Sequence, residues 1–291
     1  MVAIPISTVI GAPISGLLLG MDGVLGLAGW QWLFIIEAMP AVLLSGVVLL
    51  YLTDRPSEAR WLEPAQREWL AARLAEERRS TEAVAHFTLG QALRHPRVIG
   101  LGLVYFGIVA SNYGLSFWLP QIVKGFGLSN LATGFVTAIP YACGAVAMVL
   151  WGRRSDRTGE RLWHTALAAL VAAAGLGACA VLTDPVPTVL LLCFAALGIF
   201  GALPPFWTLP TAMLTGTAAA GGIALINSIG NLAGFAGPYA VGWVREASGS
   251  FSLALLTLAA LPLAAGLLVL AMGHDPALGG RREARAPAGA D

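Results

Sequence analysis

The sequence predicts an all-α fold, a polytopic membrane protein with eight transmembrane helices. Three observations predict it. Charged residues make up 11% of the 291-residue chain and hydrophobic ones 57%, where a soluble domain carries about 25% charged residues. Apolar runs recur at approximately 2–20, 30–52, 98–118, 131–151, 163–182, 187–210, 218–243 and 251–272, each close to the ~20 residues that cross a hydrocarbon core. The basic residues, finally, fall almost entirely into alternate loops.

Backbone facing lipid must satisfy its own hydrogen bonds, so each run is expected to be a helix. Pro5 and Pro13 predict a kinked first span, Gly237-Pro238 a kinked seventh, and Pro204-Pro205 a break in the sixth. Loop 53–97 holds eight arginines, loop 152–162 four and the segment after Met272 three, whereas the opposite side receives only Lys124 and Arg245. That asymmetry predicts that the basic loops and both termini are cytoplasmic. Trp30, Trp32, Trp118, Trp151, Trp163 and Trp243 stand at span ends, as an aromatic belt would. No basic residue precedes the first apolar run and no A-x-A-like site follows it, so a cleaved signal peptide is not expected. Cys143, Cys179 and Cys193 lie in apolar runs without metal-ligand spacing and read as small buried hydrophobes.

The chain divides into four parts. Residues 1–52 hold two spans, 53–97 form a cytoplasmic linker, 98–273 hold six spans, and 274–291 are a disordered tail rich in Ala, Gly, Pro and Arg. In the linker, Leu62, Trp69, Leu70 and Leu74 recur at helical spacing. They predict an amphipathic helix, lying on the membrane surface or bridging the two groups of spans in solvent.

Between two uncharged runs stands the decapeptide Gly152 to Arg161, G-R-R-S-D-R-T-G-E-R. It is similar to the G-x-x-x-D-R/K-x-G-x-R/K loop of major facilitator superfamily transporters, matched by Gly152, Asp156, Arg157, Gly159 and Arg161. The glycines permit tight turns, and the charges can lock one conformer at the helix ends. Further stretches narrow the resemblance. Trp30 to Pro40 reads W-Q-W-L-F-I-I-E-A-M-P, Leu52 to Pro56 L-T-D-R-P, Asn112 to Pro120 N-Y-G-L-S-F-W-L-P, and Ala224 to Asn231 A-L-I-N-S-I-G-N. Over residues 1–273 the chain resembles the anion:cation symporter family, especially its bacterial tartrate, phthalate and sugar-acid branch. The resemblance implies proton-coupled symport of an organic carboxylate by alternating access. It aligns the first span here with the fifth of twelve. The family's substrate-carboxylate arginine and coupling acids lie in the preceding four spans and have no matching position. A truncated, non-transporting remnant or accessory chain is therefore the alternative expectation.

Within the spans, candidate residues are few. Glu37 is the single carboxylate inside a span, a proton-coupling candidate or a structural carboxyl bonded to a neighbouring helix. Asn227 and Asn231, four apart, share one face of the seventh span. They could bind a substrate or pack helices, with Gly230 and Gly234 forming an adjacent G-x-x-x-G. Asn112 and Tyr113 offer an amide and a phenol from the third span, and Trp207 follows the proline pair in the sixth. The resemblance implies a substrate-contacting Asn in the seventh span and an aromatic residue at the place of Trp207. No strong cation lies within a span. Neither H-E-x-x-H nor G-x-S-x-G occurs, which argues against an intramembrane enzyme. No catalytic residue, metal or cofactor is expected. The expected partners are a small organic anion, a coupling proton and the lipid bilayer, without nucleic acid, in the cell inner membrane.

Overall fold

A computed structural model describes residues 1–83, 89–182, 184–214 and 216–273. Among them the regular structure is entirely helical. Ten α-helices follow in order: α1 (Ala3–Leu18), α2 (Gly29–Tyr51), α3 (Pro64–Ala83), α4 (Leu89–Arg94), α5 (Pro96–Lys124), α6 (Asn130–Thr158), α7 (Leu162–Cys179), α8 (Pro185–Met213), α9 (Gly216–Ser248) and α10 (Phe251–Ala271). The tail 274–291 lies outside the described residues.

Polar side chains start these helices where the apolar runs begin. The His95 ring accepts from the Arg97 N–H ahead of Pro96, Ser129 accepts from the Ala132 N–H at 3.2 Å, and Ser250 accepts from the Leu253 N–H at 3.3 Å. Each satisfies a donor that the first helical turn leaves free. In the α1–α2 connection, Asp22 accepts from the Gly29 N–H and Gln31 from the Ala28 N–H.

Seven of the helices, α2 and α5 to α10, are long and apolar enough to cross a membrane. The eighth expected span, α1, has 16 residues, or about 24 Å at 1.5 Å per residue, short of the ~30 Å core. The apolar run 2–20 is longer than its helix because Leu19 to Met21 turn back toward α2. Helix α8 is continuous through Pro204, Pro205 and Pro210, so the expected break is absent. A proline removes one backbone bond, but α8 is packed among α5, α6 and α7, and a buried membrane helix tolerates that loss. Likewise α1 runs through Pro13 and α9 through Pro238 without interruption of the helix.

Helices α5 to α10 form one bundle. In it α5 packs on α9 and α10, α8 on α6 and α7, and α10 on α7. Phe200, Phe206, Ile108, Leu119, Leu176 and Leu192 are fully buried at its centre. Outside it, α1 crosses α6, and the two backbones come close at two glycines. A Cβ at Gly16 would lie 2.7 Å from the Asn130 carbonyl, and one at Gly134 would meet the Ala12 carbonyl. Helix α2 packs on α1 and leaves Val42, Leu43, Leu44, Leu49 and Leu50 exposed. Trp30, Trp163 and Trp243 are exposed at helix ends, but Trp151 turns inward and donates to the His164 carbonyl at 2.9 Å. Among the linker residues, Trp61, Trp69 and Leu74 are exposed, and charged residues interrupt the apolar positions on α3.

Candidate functional site

Four of the predicted residues, Tyr113, Trp207, Asn227 and Asn231, are carried by α5, α8 and α9. The Tyr105 ring of α5 fills the space where Gly230 of α9 lacks a side chain. One step along, Tyr113 packs on Gly234, where a Cβ would lie 3.1 Å from the Tyr113 ring. Tyr105 also stacks on Phe206, with centroids 5.1 Å apart and planes 8° apart, and meets Trp207 edge-on at 4.8 Å. The G-x-x-x-G face therefore receives tyrosine rings instead of another helix backbone. Only glycine leaves room there, and the rings bring Tyr113 and Trp207 to the same side of the bundle.

Asn227 and Asn231 flank that glycine face. The Asn231 amide nitrogen donates to both the Asn227 carbonyl and the Asn227 side-chain oxygen, each at 2.9 Å. Both side chains are exposed, so the Asn227 NH₂ and the Asn231 oxygen face outward. The amides pair with each other along α9 and present the rest of their hydrogen-bonding capacity to whatever lies beside the bundle.

Asn112 is separated from its neighbour Tyr113. Successive residues are 100° apart on a helix, so the two side chains leave α5 in different directions. Its Oδ1 is buried and has no hydrogen-bond partner among the described residues. One turn further on α5, Ser116 accepts from the Tyr141 hydroxyl of α6 at 2.9 Å. Sequence reading missed Tyr105, Ser116 and Tyr141. The signal was their spacing: Tyr105, Asn112 and Ser116 are seven and four residues apart, on one helix face.

The decapeptide closes α6 onto α7. Gly152 is buried, with a Cβ position 3.2 Å from Pro204 of α8. Gly159 ends α6 at φ +68°, a conformation that disfavours side chains. The Arg161 guanidinium donates to Asp156 at 2.5 Å and to the Ser155 hydroxyl at 3.1 Å. Ser155, fully buried, donates to the Glu160 carbonyl at 2.7 Å. Glu160 in turn accepts from the Trp163 and His164 N–H groups and bonds the His164 ring at 2.8 Å. Burial of the Glu160 carboxyl acts to raise its pKa, but these bonds and the His164 charge outweigh burial and hold it below its ordinary value. Arg157 is exposed. Asp156, Gly159 and Arg161 come together at the end of α6, and Ser155 and Glu160 are the members that a match at fixed motif positions overlooks.

Glu37 lies on the exposed side of α2 and accepts from the Ser15 hydroxyl of α1 at 2.5 Å. At the far end of α9, Arg245 is clasped by aromatic rings, 3.9 Å from the centre of Phe251 and 5.3 Å from that of Trp118. Lys124 is held by the Leu128 carbonyl and by Asn130, both at 2.8 Å. The polar patch of α5, α8 and α9 is accordingly neutral. Among the described residues, no group of three His, Cys, Asp or Glu side chains is placed to hold a metal ion.

A bundle of membrane-length helices, with uncharged amides and phenols set into its faces, is the architecture of a multi-pass membrane protein. The Major Facilitator Superfamily model matches residues 1–238 and, in a second overlapping match, 101–288; the chain belongs to this family. It is 49% identical over 275 residues to a protein of Agrobacterium vitis named provisionally as a tartrate transporter, covering 94% of this chain and 61% of that protein. A second protein of that organism, with the same provisional name, is 48% identical over 97% of this chain and 65% of its own length. The inner membrane transport protein RhmT of Escherichia coli is 37% identical over 92% of this chain and 62% of its own length. The chain spans about three-fifths of the length of the curated relatives it matches. Its family and named relatives are transporters, and it is not an enzyme.

Proposed function

We propose that the protein is a secondary active transporter of the anion:cation symporter kind. It carries an organic carboxylate of the tartrate, phthalate or sugar-acid type together with protons, by alternating access between two helix bundles. The observation that carries the reading is the neutral polar patch on membrane-length helices, in a chain nearly half identical to proteins named for tartrate transport. In this reading Tyr113, Trp207, Asn227 and Asn231 contact the substrate from α5, α8 and α9, and Asn112 contacts it from α5. Helices α5 to α10 form one six-span bundle. Helices α1 and α2 belong to the other, with α1 as a short eighth span.

The arginine-rich loops and both termini are cytoplasmic, and residues 53–97 link the bundles there. The Asp156–Arg161 lock between α6 and α7 is then a cytoplasmic latch on one conformer. The Ser15–Glu37 bond favours a tie between α1 and α2 as the role of Glu37 over carriage of the coupling proton. The carboxylate's counter-charge comes from outside the patch described above.

The test is uptake of labelled organic acids by cells expressing this chain, with and without a protonophore, normalised to membrane-inserted protein. A parallel arm fuses the chain behind the first four spans of an Agrobacterium vitis relative. Protonophore-sensitive uptake of one acid in either arm is the expected result. Good insertion without uptake in both arms would overturn the reading and leave a non-transporting membrane protein.

A further inference from the structure

Near the end of α9 lies a cavity of about 570 Å³, walled by Trp118 of α5 and by Tyr239, Gly242, Trp243, Arg245 and Glu246 of α9. Its cation is already held in place. Arg245 is half-buried, 3.9 Å from the centre of the Phe251 ring and 5.3 Å from that of Trp118, and the two rings meet edge-on at 5.9 Å. Contact with rings fixes a guanidinium without consuming its N–H donors. Among the described residues no carboxylate pairs with Arg245 and no acceptor takes its side-chain N–H groups. Glu246, the next residue, is exposed and makes no ion pair among them either. Trp118 Nε1 is buried and has no hydrogen-bond partner among them. The ring atom Cζ2 beside that nitrogen edge packs on Gly242, 3.6 Å from where a Cβ would stand, so the edge is turned toward α9. A cation, an acid and an indole N–H thus border one cavity with no hydrogen bond among them.

The cavity sits where the apolar helices end. Arg245 is three residues from the end of α9 and Trp118 six from that of α5, about 5 and 9 Å at 1.5 Å per residue. From it an exposed stripe runs along α9 toward the middle of the helix, Trp243, Tyr239, Phe235 and Leu232, spaced by four, four and three residues on one face. Phe235 and Tyr239 stack at 5.4 Å with planes 16° apart. A polar socket at the end of a membrane-length helix, with an apolar strip leading away from it, has the shape of a site for an amphiphile. The charges choose the headgroup. A phosphate takes two parallel bonds from a guanidinium and has an oxygen to spare for Trp118 Nε1. Glu246 repels a headgroup of net negative charge and accepts from an ammonium. Neighbouring residues diverge by 100°, so Arg245 and Glu246 meet different parts of one headgroup. We propose that this cavity binds a zwitterionic phospholipid, with its phosphate on Arg245 and Trp118, its ammonium on Glu246 and an acyl chain along the α9 stripe. A small carboxylate has no ammonium for Glu246 and no chain to cover Phe235 and Leu232. The assignment needs only that the helices span a membrane and is independent of what the protein carries.

The experiment is native mass spectrometry of the purified full chain, stripped of lipid in detergent and titrated with phosphatidylethanolamine or phosphatidylglycerol of the same acyl chains. The expected result is one phosphatidylethanolamine per chain, bound about tenfold more tightly than phosphatidylglycerol. Arg245→Gln should weaken both lipids by about tenfold. Trp118→Phe keeps a ring beside Arg245 and should weaken both by about three- to tenfold through the lost N–H. Glu246→Gln, at an exposed position that the fold does not depend on, should bring the two lipids within about twofold of each other. Glycerophosphoethanolamine, the headgroup without acyl chains, should bind at least about a hundredfold more weakly than the lipid. Equal binding of the two lipids by the parent chain, a preference that survives Glu246→Gln, or an Arg245→Gln variant that binds normally would overturn the proposal. So would glycerophosphoethanolamine binding as tightly as the lipid, which would make the ligand a soluble phosphate ester. A chain recovered as a dimer that takes up no lipid would make the α9 stripe an interface between copies and would overturn it as well.

Discussion

The Ser15 hydroxyl donates to the Glu37 carboxylate at 2.5 Å, joining α1 to α2 by a hydrogen bond between side chains of two apolar helices. Glutamine at position 37 keeps an acceptor for Ser15 and cannot carry a proton. We therefore expect Glu37→Gln to retain protonophore-sensitive uptake within about twofold in the fusion described above, and Glu37→Leu to lower the melting temperature. An uptake that survives in Glu37→Gln but ignores the protonophore would assign Glu37 to coupling instead.

The Tyr105 ring occupies the space above Gly230. Gly230→Leu should force the ring out and destabilise the bundle by about 1–3 kcal/mol, the usual cost of overpacking. Thermal unfolding in detergent measures it. Pairing Gly230→Leu with Tyr105→Ala should recover part of the loss, since the added side chain then has room.

Asn227 and Asn231 bond each other and face outward. Their replacement by alanine leaves no buried group unpaired, so the single variants should keep membrane yield and melting temperature near those of the parent chain. Substrate affinity should fall by about tenfold. Normal binding by both variants would make the amides surface groups without a ligand.

Glu160 has a pKa held below its ordinary value of 4.5. A lowered folded-state pKa contributes stability above the unfolded value, and that contribution is lost as pH falls through the folded one. Melting temperature should therefore drop on acidification below about pH 4.5, and the drop should be smaller in Glu160→Gln. Arg161→Ala should lower stability at neutral pH, because it takes a donor from Ser155 and leaves Asp156 without its ion pair.

Most helices were legible because a lipid-facing run allows no other backbone. Their ends were less so. Run 2–20 is apolar throughout, but hydrophobicity does not register that Leu19 to Met21 leave the helix to reach α2. Proline was misread in α8, where burial among three neighbours outweighs one lost hydrogen bond. At the site, Asn112 and Tyr113 looked like one feature because they are adjacent in sequence, yet a 100° rotation separates their side chains. Tyr105 and Tyr141 were overlooked because tyrosine in an apolar run reads as filling. Only the pairing of one ring with a glycine of another helix, and of one hydroxyl with a serine, separates them from packing. Ser155 was overlooked for a similar reason: its contribution comes from full burial beneath Arg161, which sequence position does not reveal.

The crossing of α1 over α6 sets backbone on backbone at Gly16 and Gly134. Where backbone meets backbone at these glycines there are no rotamers to freeze when the seam closes or to release when it parts. One methyl group at either glycine would act as a wedge along the whole line of contact.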